Sequence, residues 1–374
     1  MPVYFDYAAA TPLDARVLTA MRPYLTELFY NPSASYLVAQ QVARDVAKAR
    51  ADVARWLGAR GSEIIFTAGG TEANNLAIHG IMRQFPDSNM VVSAIEHESV
   101  LAPAAAYNRR VAPVLADGRI DMHELEALID DQTVLVSIMQ ANNEIGTVQP
   151  IREIARLVQK VRKSRSSLPL YFHTDSCQAA NYLDLHVARL GVDLLSLNAG
   201  KIYGPKQCGA LYVHGGIQLQ PQITGGGQER NLRSGSENVA NIVGLAAALD
   251  LAQNQRQVES NRLHQLQQLF FQLVRARIPR AIVNGSIKYR LPNNVHLTLS
   301  GYDNERIVME LDERGIQCAA GSACNASKSA TSQVLTAIGV DEINARFSVR
   351  FTMGRGTDET AVRRTVAALV ELRV

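Results

Sequence analysis

Six short apolar runs, each ending in a loop of small or polar residues, constrain this chain more than any other feature. They are Glu63-Ile-Ile-Phe-Thr67, Met90-Val-Val-Ser-Ala-Ile95, Val134-Leu-Val-Ser-Ile-Met139, Leu170-Tyr-Phe-His-Thr-Asp175, Val192-Asp-Leu-Leu-Ser-Leu197 and Gly209-Ala-Leu-Tyr-Val213. Runs this short and this apolar read as buried strands. Helical spacing covers Leu37 to Leu57 before the first run, and a helix follows it to about Met82. Strands and helices in alternation imply an α/β chain. Ligands of open α/β sheets collect beyond the carboxyl ends of the strands, so chemistry is expected in the loops that follow these runs.

The loop after Leu197 delivers one lysine, Lys201, ahead of the Gly204-Pro205 turn. A confined amine loses solvation and its pKa falls, which suits a Schiff-base role; the alternative is a surface lysine in a hairpin. Asp175 ends a buried run, where a carboxylate is costly unless it meets a cation. The turn Ala68-Gly-Gly-Thr71 before a helix suits an anion, which the free N–H groups and the helix dipole both attract, although many such turns bind nothing. His97, in Glu96-His97-Glu98-Ser99, is either a ligand at a strand end or the cap of the next helix. The stretch from Cys318 to Ser332 has nothing that could pack a core. Cys324 within it is either an incidental thiol or one exposed enough to travel and attack. Ala345 to Gly354 reads as a strand carrying two arginines, Arg346 and Arg350.

Composition narrows the function classes. With 374 residues the chain exceeds one typical domain. Lysines and arginines number 38 against 35 acidic residues, and a net charge of +3 is too weak to argue for nucleic acid. The one basic run, Lys160-Val-Arg-Lys-Ser-Arg165, reads as a solvated helix end and loop. No basic-then-apolar leader opens the sequence, and no apolar segment is long enough to span a bilayer, so no membrane is expected. The four cysteines lack metal-ligand spacing, which implies free thiols in a reducing, cytoplasmic environment and no metal. Asp14 is expected to cap a helix running to about Glu27, and a long helix, with room for one break, covers Val239 to about Ile278. Its Gln-rich middle marks the expected boundary: an arm over 1–14 packed with the small domain, a large domain over 15–255 and a small one over 256–374.

In their order, these motifs resemble those of the cysteine desulfurases of the NifS/IscS type, pyridoxal 5'-phosphate (PLP) enzymes of the class V aminotransferase superfamily. The likeness begins at Tyr4-Phe-Asp-Tyr-Ala-Ala-Ala-Thr-Pro12 and runs to the last helix. It implies PLP-dependent fold type I, with a large domain around a mostly parallel sheet and a small C-terminal α/β domain. It also implies a Schiff base between PLP and Lys201, with Gly70 and Thr71 at the phosphate and His97 stacked on the ring. Asp175 would pair with the pyridine nitrogen, and Gln178 and Asn143 would lie at the ring oxygen. Arg350, with Asn143, would hold the substrate carboxylate. Ser236, in the segment after Gly225, would reach the phosphate of a neighbouring subunit, which implies a homodimer. Cys324 would take sulfur from L-cysteine as a persulfide, leave L-alanine, and pass the sulfur to an iron–sulfur scaffold or a tRNA-thiolation enzyme. Long-loop members continue into a tail that helps dock the scaffold; this sequence stops at Val374.

The chain departs from the family's Ser-Gly-His-Lys-Ile-Tyr-Gly-Pro-Lys segment at Asn198, Ala199 and Gly200. Asn198 retains an amide donor for the phosphate, whereas Gly200 offers no side chain in place of the imidazole. PLP held about tenfold more weakly is therefore expected, since a hydrogen bond to a charged group contributes roughly 1.5–3 kcal/mol. Two rivals remain: a related PLP enzyme such as a selenocysteine lyase or an aminotransferase, and a weakened paralogue that acts by binding.

Overall fold

The structure is a computed structural model that describes residues 2–165, 167–321 and 332–372. The chain opens with β1 (Val3–Tyr4) and then builds a seven-stranded sheet. That sheet comprises β2 (Ile64–Thr67), β3 (Asn89–Ser93), β4 (Asn108–Ala112), β5 (Thr133–Ser137), β6 (Tyr171–Asp175), β7 (Leu194–Asn198) and β8 (Gly209–Val213). Their spatial order is β2-β8-β7-β6-β5-β3-β4, and β8 alone runs antiparallel to its neighbours. Fold type I, a mostly parallel sheet between helical layers, is the outcome.

Side-chain alternation explains the two layers. Ile64, Phe66, Val91, Leu195, Leu197 and Tyr212 join a core with the helices Ala15–Met21, Leu37–Leu57 and the first half of Val239–Arg277. Ile65, Met90, Val92, Leu194, Leu211 and Val213 turn the other way, onto Ala73, Leu76, Ala77 and Ile81 of the helix Gly70–Met82. Strand β4 carries Asn108, Arg109 and Arg110 at the sheet edge and is largely exposed, so no apolar run announces it.

A third apolar cluster lies in the C-terminal part. There β9 (Ile282–Val283), β10 (Asn294–Thr298) and β12 (Ser348–Thr352) form an antiparallel sheet, while β11 (Ile316–Gln317) pairs in parallel with β1. Leu263, Phe270 and Val274 of the long helix pack on it. Phe5, fully buried, meets Phe270 and Phe351 edge-on at 6.1 and 6.0 Å between ring centres.

Three expectations are corrected. Asp14 does cap its helix, accepting the Arg16 N–H at 2.9 Å, but that helix ends at Met21 and Pro23–Thr26 starts afresh. Pro23 has no N–H to continue the ladder. The long helix is continuous for 39 residues, and its unbroken polar middle is only partly exposed, with Gln253 buried and donating to the Ala180 carbonyl at 2.7 Å. The basic run is only partly solvated: Arg162 pairs with Asp193, and the Arg165 side chain is buried and donates to the Thr133 carbonyl at 2.6 Å.

Phe5 ties the N-terminal arm to this third core. Phe5→Ala should cost about 3–5 kcal/mol, read as a lower urea midpoint at unchanged m-value.

Candidate active site

The loops at the carboxyl ends of β2, β3, β5, β6 and β7 converge with the N-terminal arm and β12 on one site. It consists of two adjoining cavities that share Ala9, Gly70, Thr71, Asn198 and Lys201. His97, Asn143, Asp175, Gln178 and Arg350 line the inner one. Residues from distant parts of the sequence are thus brought together. Ser236 is exposed and lines neither cavity, and Arg346 lies outside in a surface ion pair with Glu342. Cys324 lies outside the described residues.

Lys201 ends a short 3-10 turn, Ala199–Lys201, that Asn198 caps by accepting the Gly200 N–H at 3.0 Å. Its Nζ donates to the carbonyls of Ala8 and Ala9, both at 2.7 Å. Gln178 Nε2 donates to Ala8 O at 3.0 Å. Arg350, fully buried on β12, donates through Nη1 to the Asn143 carbonyl at 3.0 Å and pairs through Nη2 with Asp6 at 2.7 Å.

Asp175 ends β6 with 6% exposure. Its oxygens accept from Asn74 Nδ2 at 2.8 Å and from the Cys177 N–H at 2.9 Å. Among the described residues it forms no ion pair. Asn74 also donates to Ser99 Oγ at 2.8 Å, and Ser99 in turn meets His97 Nδ1 at 2.8 Å. His97 caps the helix Glu98–Ala104 through the Ser99 N–H, and it also lines the cavity. Burial depresses its pKa and Lys201 adds to this, while Asp175 opposes it.

Several participants carry no sequence signal of their own. Asn74 looks like any polar residue one turn into a helix, and only the close approach of that helix to β6 brings it to Asp175. The approach depends on Gly70, where a Cβ would stand 2.6 Å from Cys177 Sγ. Burial pushes the Cys177 thiol well up, so it packs as a neutral group. Glu96, 4% exposed, accepts the Met139 N–H at 2.8 Å. Burial, reinforced by Asp175 and opposed by that hydrogen bond, raises its carboxyl to about 8.

The residues present fit PLP. A buried carboxylate with neutral partners suits a protonated pyridine nitrogen. The Gly70–Thr71 turn opens the 13-residue helix Gly70–Met82, whose N-terminal N–H groups suit a phosphate.

The chain belongs to the aminotransferase class-V family, whose model it matches over residues 3–364. Within that PLP-dependent family it belongs with the cysteine desulfurases. It is 39% identical to the cysteine desulfurase IscS of Dictyoglomus turgidum, over 98% of this chain and 93% of that one. Among solved structures, a NifS-like protein superposes with a TM-score of 0.93 at 31% identity, covering 100% of this chain and 99% of the other. SspA in complex with cysteine matches with a TM-score of 0.81 at 34% identity, covering 94% and 98%.

Glu96 gives a pH test. Its folded pKa lies above that of an ordinary carboxyl, so the folded state keeps a proton that the unfolded chain releases, and stability falls as pH rises toward about 8. Glu96→Gln keeps the acceptor for Met139 and has no proton to lose. The stability of this variant relative to the parent should grow between pH 5 and pH 8 and then level off, measured by urea unfolding.

Proposed function

We propose that this chain is a PLP-dependent cysteine desulfurase that converts L-cysteine to L-alanine and carries the sulfur as a persulfide on Cys324. The observation that carries this reading is the convergence, on one cavity, of Lys201, Arg350 and a buried Asp175 that forms no ion pair among the described residues. The relatives named cysteine desulfurase and the cysteine complex of SspA support it.

Gly70, Thr71 and Asn198 would hold the phosphate, Asp175 the ring nitrogen, and Gln178 and Asn143 the ring oxygen, with His97 over the ring. Bound PLP supplies an electron sink for bond cleavage at the substrate's Cα and Cβ. Arg350 binds the substrate α-carboxylate, which takes over from Asp6 as its anionic partner. The Lys201 amine, held by neutral carbonyls, takes the Cα proton. His97, kept neutral by burial, carries a proton at the substrate sulfur. The Cys324 thiolate attacks that sulfur: an S–S bond forms, the Cβ–S bond breaks, and the carbon keeps the electron pair and gains a proton as alanine. The sulfur is oxidised as the carbon is reduced, and atoms balance without a further reagent.

Both flanks of the Cys324 segment lie at Glu144, next to Asn143. Ser332 Oγ donates to Glu144 Oε2 at 2.6 Å, and a Cβ built on Gly321 would stand 3.8 Å from the same oxygen. Cys318, buried and pushed up to about 12 by that burial, is a poor source of thiolate. The arm 1–14, large domain 15–255 and small domain 256–374 form the working division, supported by the change of core along the long helix between Ala252 and Leu263.

A homodimer accounts for Ser236, which is exposed outside the site, and for exposed Leu25, Phe29, Tyr36 and Leu37, where Phe29 and Tyr36 flank Tyr30 in ring contact. The sulfur acceptor is an iron–sulfur scaffold or a tRNA-thiolation enzyme, met in the cytoplasm. Among the described residues no helix is long and apolar enough to cross a membrane.

Purified protein should absorb in the visible as lysine-bound PLP and release alanine from cysteine in the presence of a thiol. Lys201→Ala should abolish that band. Cys324→Ser should keep it but form no persulfide, by mass spectrometry and alkylation. An inactive Cys318→Ser beside an active Cys324→Ser would assign the wrong thiol, and a PLP-loaded protein that releases no alanine would favour another lyase or a binding role.

A further inference from the structure

The outer cavity is the phosphate end of the site. Gly69, Gly70 and Thr71 line it at the N-terminus of the helix Gly70–Met82, together with Asn198 and Gly200. The charged residues lining it are Lys201, Glu72 and Lys206. Lys201 is committed to the arm carbonyls and Glu72 is neutralised by Arg233 at 2.9 Å. Among the described residues that line it, Lys206 remains as the cation. Its stem lies across the space that glycine leaves: a Cβ built on Gly200 would stand 3.1 Å from Lys206 Cδ.

We propose that Lys206 is a phosphate ligand of the cofactor, its stem crossing the place that a side chain at position 200 would otherwise occupy and its ammonium reaching the phosphate from there. This rests on PLP being the cofactor. The Lys206 ammonium gives one donor to the Thr11 carbonyl, which leaves two for phosphate oxygens. That bond also places the charged end beside the arm, at the rim of the cavity. The sequence predicts a gap at Gly200 and weaker PLP binding; the Lys206 stem crosses the gap and its ammonium brings a formal charge.

The test compares PLP with pyridoxal, which lacks the phosphate, in equilibrium titrations of the full chain stripped of cofactor and read by absorbance. Lys206→Met keeps the stem and removes the charge. It should raise the dissociation constant for PLP about tenfold, a loss in the range expected for one hydrogen bond to a charged group. The constant for pyridoxal should not change, which shows that the site is folded and that Lys201 still carries the link. In the Lys206→Met background, Gly200→His should recover most of the lost PLP affinity. An unchanged PLP constant would overturn the proposal. So would equal weakening of both ligands, which would make Lys206 a structural prop or the linking lysine. Failure of Gly200→His to recover any affinity would show that the two side chains do not share one place. All readouts are binding of cofactor without substrate, so a chain without desulfurase activity would leave the result intact.

Discussion

The N-terminal arm is the constraint on which the site depends. Residues 6–11 run between the seven-stranded sheet and β12, and groups from both sides attach to them. Ala8 and Ala9 offer their carbonyls to Lys201 and Gln178, and Thr11 joins Gly200 and Tyr203 through its hydroxyl and Lys206 through its carbonyl. Asp6 pairs with Arg350, and Thr352 holds Ala8. The arm stays in place because Phe5 is sunk in the C-terminal core and β1 pairs with β11. The two carbonyls orient the Lys201 ammonium toward the arm.

A second constraint governs the carboxylates behind the ring position. Asp175 ends β6 and Glu96 follows β3, with β5 between them, and the Asp175 carboxylate adds to the rise of the Glu96 pKa. Burial keeps Glu96 neutral, so no second negative charge is added next to Asp175. Asn74 then orients Asp175 without neutralising it. Its amide donates to both Asp175 and Ser99, and Ser99 passes the orientation on to His97. Acid, amide, hydroxyl and imidazole thereby form one rigid chain around the cavity, built on strand ends and a helix start rather than on a free loop.

How far this was legible in the sequence depends on which force placed each residue. The strands of the buried sheet were readable because burial on both faces demands continuous apolar runs. Edge strand β4 was not readable, since Asn108, Arg109 and Arg110 face solvent and the strand exists through pairing with β3. The break at Pro23 was readable in principle, from a ring that removes a donor. Site residues at strand ends, Asp175 and His97 among them, stood out as polar groups where an apolar run stops. Asn74 and Asp6 did not, because their importance comes from the packing of a helix and an arm that local pattern does not encode. Lys206 was visible only as a neighbour of Lys201. Its relation to Gly200 needs the turn at Gly204 and Pro205, which brings its stem back over the glycine.

The geometry also bears on which thiol acts. Ala319 exchanges both backbone hydrogen bonds with Arg350, at 3.1 and 2.8 Å, so β12 and the chain just before the Cys324 segment are clamped together. Cys318 lies inside that clamp. It is buried, its thiol is held protonated by desolvation, and its backbone cannot shift without moving Ala319 and Arg350. Cys324 is three residues beyond Gly321, a span of at most about 10 Å for an extended chain. Gly321 and Ser332, the described residues on either side of the Cys324 segment, both lie near Glu144, which adjoins Asn143. A sulfur carrier needs a tether short enough to keep its thiol concentrated at the substrate, and an attachment that leaves the neighbouring strand undisturbed when the thiol moves. Cys318, next to the Ala319–Arg350 clamp, lacks the second property.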